Sequence, residues 1–337
     1  MRAKAEHRVL ISDVAKASNV SIATVSRVLT QTGRVNQEKR ERVLSAAKAL
    51  GYKRNPFASA LRSRRTDTVG MVMPTLENPF FSSLAKYFEK VISVDGFNLV
   101  LCSSEGDPTV EHDKVVSLLN HEVSGIVISP ADIEKSTETI SQASAQAMVV
   151  QVDQRVSSPI SNWVGINDDL AMKLIVSHFR SRGFKTAGFI GTQATDSSAA
   201  DRLSAFKKHC QAEGIITKQS WIQLGEHNME WGQAAIEKIV SSGDIPRALA
   251  CSSDMIALGA LNAIRTAGLN VPEEIAISGF DDTAFAKVAR PSLTTIHQPY
   301  SEIASETWHL LHSHDSRPSN AVAKILLTPR LVVRSST

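Results

Sequence analysis

Short apolar segments alternate with amphipathic segments of helical period from Thr68 onward, and this alternation constrains the fold more than any other feature. The predicted strands are residues 69–73, 98–102, 125–128 and 148–152, and the predicted helices are residues 80–94, 110–121 and 134–145. A repeated strand, helix, strand order is typical of a parallel sheet with helices on both faces. This part of the chain therefore predicts one α/β lobe.

The same alternation of predicted strands and helices begins again after the polar stretch 153–162, which contains Pro159. The predicted elements are residues 168–182, 186–190, 202–213, 231–241, 249–251, 255–267 and 275–278. We therefore expect two doubly wound parallel-sheet lobes in succession. Lobes of this kind bind ligands at the carboxyl ends of their strands, and a cleft between two lobes can close around a ligand.

Composition excludes several other classes of protein. With 337 residues, 42% of them hydrophobic and 21% charged, the chain resembles an ordinary globular protein and not a disordered one. No apolar run approaches the ~20 residues that a transmembrane helix needs. The basic residues 1–8 are not followed by an apolar signal segment, so we expect a cytoplasmic protein. The three cysteines, Cys102, Cys210 and Cys251, are expected to be buried free thiols.

Charge is distributed unevenly along the chain. Residues 1–65 contain 15 Lys and Arg against 4 Asp and Glu, whereas the remaining 272 residues contain 22 against 30. A basic head on an acidic body suggests a polyanionic partner for the head and a different task for the body.

The head has the pattern of a helix-turn-helix. Ile11, Val14 and Ala15 form an apolar stripe, residues 18–20 interrupt it, and Ser21 is a suitable N-cap for a second helix. A third helix is predicted after Asn36, ending at Gly51. Four side chains of this helix are expected to close the core formed by the three helices: Val43, Leu44, Ala47 and Leu50.

The second helix carries a face suited to reading DNA. Arg27 can bind guanine O6 and N7 together, and an exposed Ile22 next to Ala23 can meet a thymine methyl in the major groove. The hydroxyls of Ser21, Thr24 and Ser26 suit phosphate oxygens. The head therefore predicts a double-stranded DNA partner.

Four segments of the head resemble the LacI/GalR family of bacterial transcription regulators: DVAK at 13–16, VSIATVSRVL at 20–29, GY at 51–52 and NPFASAL at 55–61. The resemblance implies a short hinge helix at about 55–62 that folds in the minor groove, where Leu61 opens a base step. Arg62 would lie along the same groove. The further DNA contacts expected from the resemblance are Arg34, Asn55 and Ala58.

Polar and aromatic residues follow the predicted strands of the body. Asn78, Phe80 and Phe81 come after the first strand, and Asp153 ends the fourth. In the second lobe Arg202 is expected to open a helix, and Asp254 follows the strand ending at Cys251. Aromatic rings with Asp, Asn and Arg around them suit a polyol, because each buried hydroxyl needs a hydrogen-bond partner.

The body resembles the same family in the segments NPFF at 78–81, DMIALGA at 254–260, VPEEIAISGFDD at 271–282 and LTTIHQP at 293–299. This resemblance implies a periplasmic-binding-protein-like effector core, with the chain crossing between lobes three times. The segment LVLCSSEGD at 99–107 is most similar to ribose-type members. The effector contacts that it implies are Asn78, Phe80, Phe81, Asp153, Arg202, Asp254 and Gln298. Because Arg155 and Arg202 could pair with a carboxylate, a sugar acid stays open as the effector.

The expected organisation is a DNA-binding domain at 1–62, a linker at 63–67 and an effector-binding and dimerisation domain at 68–337. Its lobes are expected to be 68–163 with 293–323, and 164–292 with 324–337. We expect a homodimeric repressor that binds a pseudo-palindromic operator under the control of a small molecule, a sugar or sugar derivative. No metal or cofactor is expected.

The same residues bear on other possible functions. No phosphate-loop, dinucleotide, zinc-protease or nucleophile-elbow motif is present, so an enzyme is not expected. A periplasmic binding protein does not explain the basic head. A regulator whose core responds to a partner protein, or to a nucleoside or purine-like corepressor, stays open as an alternative.

Overall fold

The computed structural model describes residues 9–29, 35–52, 66–193, 195–312 and 322–337. The chain divides into two compact units, Met1–Arg64 and Arg65–Thr337. The expected DNA contacts Arg34, Asn55, Ala58, Leu61 and Arg62, together with the expected hinge helix, lie outside the described residues.

The first unit contains three helices, α1 (Ile11–Ser18), α2 (Ile22–Leu29) and α3 (Gln37–Ala49). Asn19 ends α1 in the left-handed conformation, with a φ of 52°, which Asn tolerates better than most residues. Asn36 caps α3 by accepting the backbone N–H of Glu38 at 2.9 Å. The predicted helix, turn, helix order is confirmed.

The core of this unit consists of the buried side chains Val14, Ala15, Val25, Val28, Val43 and Ala47. Leu44 and Leu50, which were expected in this core, are 49% and 38% exposed, so that prediction is wrong. Residues four apart on a helix share a face, and Val43 and Ala47 occupy the inward one. Leu44 is displaced from that face by one position, and Leu50 lies beyond the last turn.

The second unit contains two six-stranded sheets. The first sheet has the order β11-β5-β4-β3-β1-β2 with every neighbouring pair parallel. Its strands are β1 (Thr68–Met73), β2 (Asn98–Ser103), β3 (Gly125–Ile128), β4 (Met148–Val152), β5 (Asn162–Ile166) and β11 (Lys324–Leu327). Its helices are α4 (Pro79–Val94), α5 (Pro108–Asn120), α6 (Thr137–Ser144) and α12 (Tyr300–His312).

The second sheet has the order β12-β10-β9-β8-β6-β7, and only its edge strand β12 runs antiparallel to its neighbour. Its strands are β6 (Ala187–Thr192), β7 (Ile222–Gly225), β8 (Ala248–Cys251), β9 (Ala276–Asp281), β10 (Thr294–His297) and β12 (Arg330–Val332). Its helices are α7 (Asp168–Ser181), α8 (Ser197–Glu213), α9 (Met229–Ser241), α10 (Asp254–Thr266) and α11 (Ala284–Val288). The predicted class, a helical head with a two-lobe parallel α/β core, is confirmed.

Two strands belong to the opposite lobe from the one expected. β10, assigned from sequence to the first lobe, lies parallel to β9 in the second sheet. β11, assigned to the second lobe, pairs with β5 in the first sheet. β5 itself was missed, because its residues were placed partly in a polar linker. Strand periodicity shows that a segment is extended but not which sheet it joins, since the pairing partner is remote in sequence.

Apolar burial is extensive in both lobes. One buried cluster contains side chains from each, including Met71, Phe88, Phe189 and Phe206. Of the cysteines, Cys210 and Cys251 are buried and Cys102 is half-buried, and all three are free thiols. In the described part of the chain, no helix is both long and apolar enough to cross a bilayer.

Candidate functional site

Helix α2 presents the predicted reading face. Ser21 caps the helix, because the backbone N–H of Thr24 donates to its Oγ at 3.3 Å, and the two hydroxyl oxygens lie 2.9 Å apart. Val25 and Val28 turn inward, while Ile22 is 48% exposed. Ala23 and Arg27 are also exposed, and Ser26 is half-buried. Arg27 and Ile22 face solvent on the same short helix, so both side chains could contact base edges in the major groove of DNA.

A cavity of about 690 Å³ lies between the two lobes. It is lined by residues at or after the ends of β1, β2, β3 and β4 in the first lobe and of β6 and β7 in the second. The lining residues are Pro74, Thr75, Leu76, Glu77, Phe81, Ser103, Glu105, Gly106, Ala131, Gln154, Thr192, Gln193, Thr195, Asp196, Gly225, Glu226, His227 and Asn228. Its volume is within the range of small-molecule sites, and its position is the one that parallel sheets use for ligands.

Asn78 connects the lobes at this cavity. Its Oδ1 accepts the backbone N–H of Phe80 at 3.0 Å, which caps α4, and its Nδ2 lies 3.2 Å from Nε2 of His227 in the other lobe. Burial lowers the pKa of His227, so the neutral imidazole can accept from the amide. His227 was not predicted from sequence, because the preceding strand β7 was missed.

Of the two aromatic residues predicted at the site, only one lines the cavity. Phe81 is a lining residue, although its ring is almost fully buried. Phe80 packs against Phe81 with ring centroids 5.0 Å apart and against Tyr300 at 5.7 Å. Phe80 therefore belongs to the apolar core.

Arg202 is the centre of a buried polar cluster. Its Nε donates to Oδ1 of Asp168 at 2.7 Å, its Nη1 donates to the carbonyl of Ser252 at 2.9 Å, and its Nη2 lies 3.5 Å from Asp153. Its guanidinium carbon is 3.7 Å from the ring centroid of Phe280. Arg202 does not open a helix as expected, because α8 begins at Ser197 with Asp196 as N-cap. Asp196 accepts the N–H of Ala199, and the helix begins five residues earlier than predicted.

Burial controls the ionisation of this cluster. It raises the pKa of Asp153 to about 7, against the opposing effect of Arg202, and it raises the pKa of Asp281 well above its usual range. Burial also disfavours the charged guanidinium, but Asp168, Asp153 and Asp281 outweigh that effect and raise the pKa of Arg202. The arginine therefore stays charged, while the carboxyls can act as donors as well as acceptors.

The two remaining predicted contacts bind other protein groups. Gln298 donates from Nε2 to Oδ1 of Asp281 at 2.8 Å. Asp254 is fully buried, and its two oxygens accept the N–H of Thr283 at 2.7 Å and the hydroxyl of Thr295 at 2.6 Å. Burial raises the pKa of Asp254 to about 7.

The structure thus distributes the seven predicted effector residues over three places. Phe81 lines the cavity, and Asn78 contacts its wall through His227. Asp153, Arg202 and Gln298 join the buried cluster next to it, close enough for Arg202 to contribute to the lowered pKa of His227. Phe80 and Asp254 lie in the protein interior.

The first turn of α8 also bonds to the opposite lobe. The N–H of Arg155 donates to Ser197 Oγ at 2.9 Å, and Ser198 Oγ donates to the carbonyl of Asp153 at 3.2 Å. The N–H of Ile133 donates to the carbonyl of Thr195 at 3.0 Å. The start of one helix therefore contacts both the cavity wall and the other lobe.

Both units of the chain are similar to known protein families. Residues 10–55 match the model of bacterial regulatory proteins of the lacI family, and residues 176–337 match a periplasmic binding protein-like domain. The HTH-type transcriptional regulator DegA of Bacillus subtilis (strain 168) is 32% identical over 331 residues, which cover 97% of each chain. The HTH-type transcriptional repressor PurR of Haemophilus influenzae (strain PittEE) is 30% identical over 332 residues, covering 97% of this chain and 98% of that one.

Among solved structures, the Lac repressor dimer bound to operator and the anti-inducer ONPF superposes with a TM-score of 0.86 at 25% identity. The match covers 98% of this chain and 99% of that chain. These relatives are transcriptional regulators and not enzymes. The chain belongs to the lacI family of bacterial DNA-binding transcriptional regulators.

Proposed function

We propose that this protein represses transcription as a homodimer on a pseudo-palindromic operator, and that a small polyhydroxylated effector in the interlobe cavity sets its operator affinity. The observation that carries the proposal is a cavity of about 690 Å³ with walls from both lobes. A ligand held between two lobes favours one arrangement of them over another. A coupling free energy of ~1 to 3 kcal/mol would change operator affinity by roughly 5- to 150-fold.

The reading face of α2 supports sequence-specific binding. Arg27 is exposed and can bind guanine through two hydrogen bonds, while Ile22 can contact a thymine methyl. Ser21, Thr24 and Ser26 would contact phosphates. Arg34, Asn55, Ala58, Leu61 and Arg62 remain proposed contacts on the basis of the family resemblance, with Leu61 in the minor groove. A chromosomal operator would place this action in the bacterial cytoplasm.

Exposed apolar residues on the first lobe support a homodimer. Val94, at the end of α4, is 84% exposed, and Val100 and Leu101 on β2 are 42% and 43% exposed. β2 is the edge strand of its sheet, and natural proteins usually cover such an edge. A second copy of the chain would cover it and would supply a second head for the second half-site.

Polar side chains in the cavity support a sugar or sugar derivative as effector. Thr75, Gln154, Thr192, Gln193 and Asn228 place hydroxyl and amide groups on the walls. A buried ligand hydroxyl that finds no partner costs ~1 to 3 kcal/mol, so a wall with many such groups favours a ligand with many hydroxyls.

The proposal is tested by measuring operator affinity with and without candidate effectors. An operator is first selected from random DNA, and its binding is then followed by fluorescence anisotropy in the presence of sugars, sugar derivatives, polyols, nucleosides and purine bases. We expect a polyhydroxylated compound to change the affinity at least about fivefold. Gln154→Ala, in the cavity wall, should reduce that response and leave the ligand-free operator affinity unchanged.

Gln142→Ala is the matched control, because Gln142 is exposed on α6 and its side chain donates to Glu138 on the same helix. An affinity that stays constant at saturation with every compound shown to bind would contradict the proposed control by a small molecule. A response confined to nucleosides or purine bases would reject the sugar and favour the corepressor alternative.

A further inference from the structure

The wall of the interlobe cavity is acidic. Glu77 and Glu105 from the first lobe and Asp196 and Glu226 from the second line it, and three of these four residues are exposed. Among the lining residues that the structure describes there is neither lysine nor arginine. The basic side chain present is His227, which is neutral near pH 7 because burial lowers its pKa. A ligand entering the cavity therefore meets negative charge on both lobes.

The two arginines near the cavity do not compensate for this charge. Arg202 donates to Asp168 at 2.7 Å and to the carbonyl of Ser252 at 2.9 Å, and its remaining amino group faces Asp153 at 3.5 Å. Arg155 does not line the cavity; its Nη2 is 2.8 Å from Asp201. An anionic ligand could displace Asp168 from Arg202 only by breaking a buried ion pair, and this would leave an unpaired buried charge, which is strongly unfavourable. The pair of Arg155 with Asp201 is more exposed, but Arg155 is not part of the cavity lining.

We propose, on the basis of the proposed function, that this cavity selects polyhydroxylated effectors without negative charge, and that an amine on the effector strengthens binding. A phosphorylated or carboxylated sugar would bring its anion against several carboxylates, and the described wall residues include no lysine or arginine to neutralise it. An ammonium group would be attracted by the same carboxylates. The sugar acid that the sequence leaves open is therefore not favoured, because Arg202 is paired with a buried carboxyl and Arg155 is not part of the cavity lining.

Matched compounds that differ in charge test this inference directly. The probes are glucose, glucosamine, glucuronate and glucose 6-phosphate, with the corresponding galactose compounds and the pair ribose and ribose 5-phosphate. Binding to the full-length protein is measured by titration calorimetry at low salt. In each series that binds, we expect the amine to bind more tightly than the neutral sugar and the anion to bind roughly tenfold or more weakly. Added salt should narrow these differences.

Charge-neutralising variants identify the groups responsible. Glu77→Gln combined with Glu226→Gln removes two exposed carboxylates from the wall and should improve the binding of the anion relative to that of the neutral sugar. Glu89→Gln combined with Glu230→Gln is the matched control, because both residues are exposed acids on helices outside the cavity. The control should leave the relative affinities unchanged.

The outcomes separate this inference from the function on which it rests. If glucuronate, galacturonate or a sugar phosphate binds at least as tightly as its neutral parent, the charge selection is wrong while effector control stands. If no sugar, amino sugar or anion of the panel binds, the polyhydroxylated effector is rejected and this inference with it. If the wall variant and the control variant discriminate equally between the anion and the neutral sugar, the wall carboxylates are not the cause of that discrimination.

Discussion

Asp254 illustrates how burial determines the role of a single carboxyl group. It follows strand β8 at a sheet edge where ligand contacts are expected, yet it is fully buried. Both of its oxygens accept hydrogen bonds, from Thr283 and Thr295. Its side chain therefore joins the start of α10 to the residues after β9 and to β10.

Replacing Asp254 by alanine should destabilise the fold. The change leaves the N–H of Thr283 and the hydroxyl of Thr295 without an acceptor, which costs about 2 to 4 kcal/mol of unfolding free energy. Asp254→Asn keeps one acceptor and should cost less. Denaturant unfolding of the full-length protein measures both, and an unfolding free energy within error of the wild-type value for Asp254→Ala would contradict the structural role.

The raised pKa values of Asp153 and Asp254 predict the pH dependence of stability. Both are about 7 in the folded protein, above the ~3.9 of an unfolded aspartate, so the folded state binds more protons between these values. The stabilisation is complete below pH ~4 and is lost as the pH rises through about 7. The unfolding free energy should therefore be lower at pH 8 than at pH 5.5.

Asp254→Asn tests the assignment, because an amide does not titrate. In denaturant series at several pH values, this variant should lose less stability than wild type between pH 5.5 and pH 8. Identical pH profiles for the two proteins would exclude Asp254 as a source of the effect.

Arg27 is the residue on which base specificity is expected to depend most. Arg27→Ala should weaken operator binding by ~1 to 3 kcal/mol and relax the preference at one base pair of each half-site. Binding-site selection followed by sequencing measures that preference. Lys39→Ala, at an exposed position of α3, is the control and should leave the preference unchanged. A uniform loss of affinity for all sequences would mean that Arg27 contacts only phosphate.

At the scale of elements, α2 depends on its first turn. Ser21 supplies a side-chain acceptor to a helix of only eight residues, and helices this short are not stable alone. The rest of its stability comes from Val25 and Val28, which lie in the core of the three helices.

Ser21→Ala should therefore destabilise the DNA-binding unit by about 0.5 to 2 kcal/mol. Ser45→Ala is the control, because Ser45 is exposed in the middle of α3, where alanine is the better helix former. Hydrogen exchange of the α2 amides in the full-length protein reports the change. If the α2 amides of Ser21→Ala exchange at the wild-type rate, the cap contributes nothing to the stability of α2.

Element type was predictable where local signals agree. Asn36 and Asn78 cap the helices that the periodicity predicts, and α2 lies within the segment identified from Ser21 onward. β5 was missed because its first residue belongs to the polar stretch 153–162, and β7 because it has only two apolar side chains, Ile222 and Leu224. α8 was predicted to begin too late, because its first turn is polar and its N-cap, Asp196, stands in a run of small and polar residues.

At the scale of the whole molecule, the proposed dimer is tested at the exposed edge of the first sheet. Leu101→Lys, combined with Val100→Lys, places two charges on β2 and should shift the protein toward the monomer in sedimentation velocity. Operator affinity should fall as well, because a monomer reads one half-site. Ile216→Lys, at a 59% exposed position of the second lobe, is the control. A double variant that sediments as the wild type does would exclude this edge from the interface.

The amino-acid sequence alone determined the class of this molecule: a helix-turn-helix head, two α/β lobes and a regulator of the lacI family. These conclusions depend on periodicity, capping residues and short motifs, which are local properties of the chain. Only the tertiary structure decided that β10 and β11 join the opposite lobes, that His227 faces Asn78, and that carboxylates line the cavity while the arginines are paired. Pairing, burial and the pKa shifts that follow from them depend on groups far apart in sequence, and no local pattern encodes those neighbours.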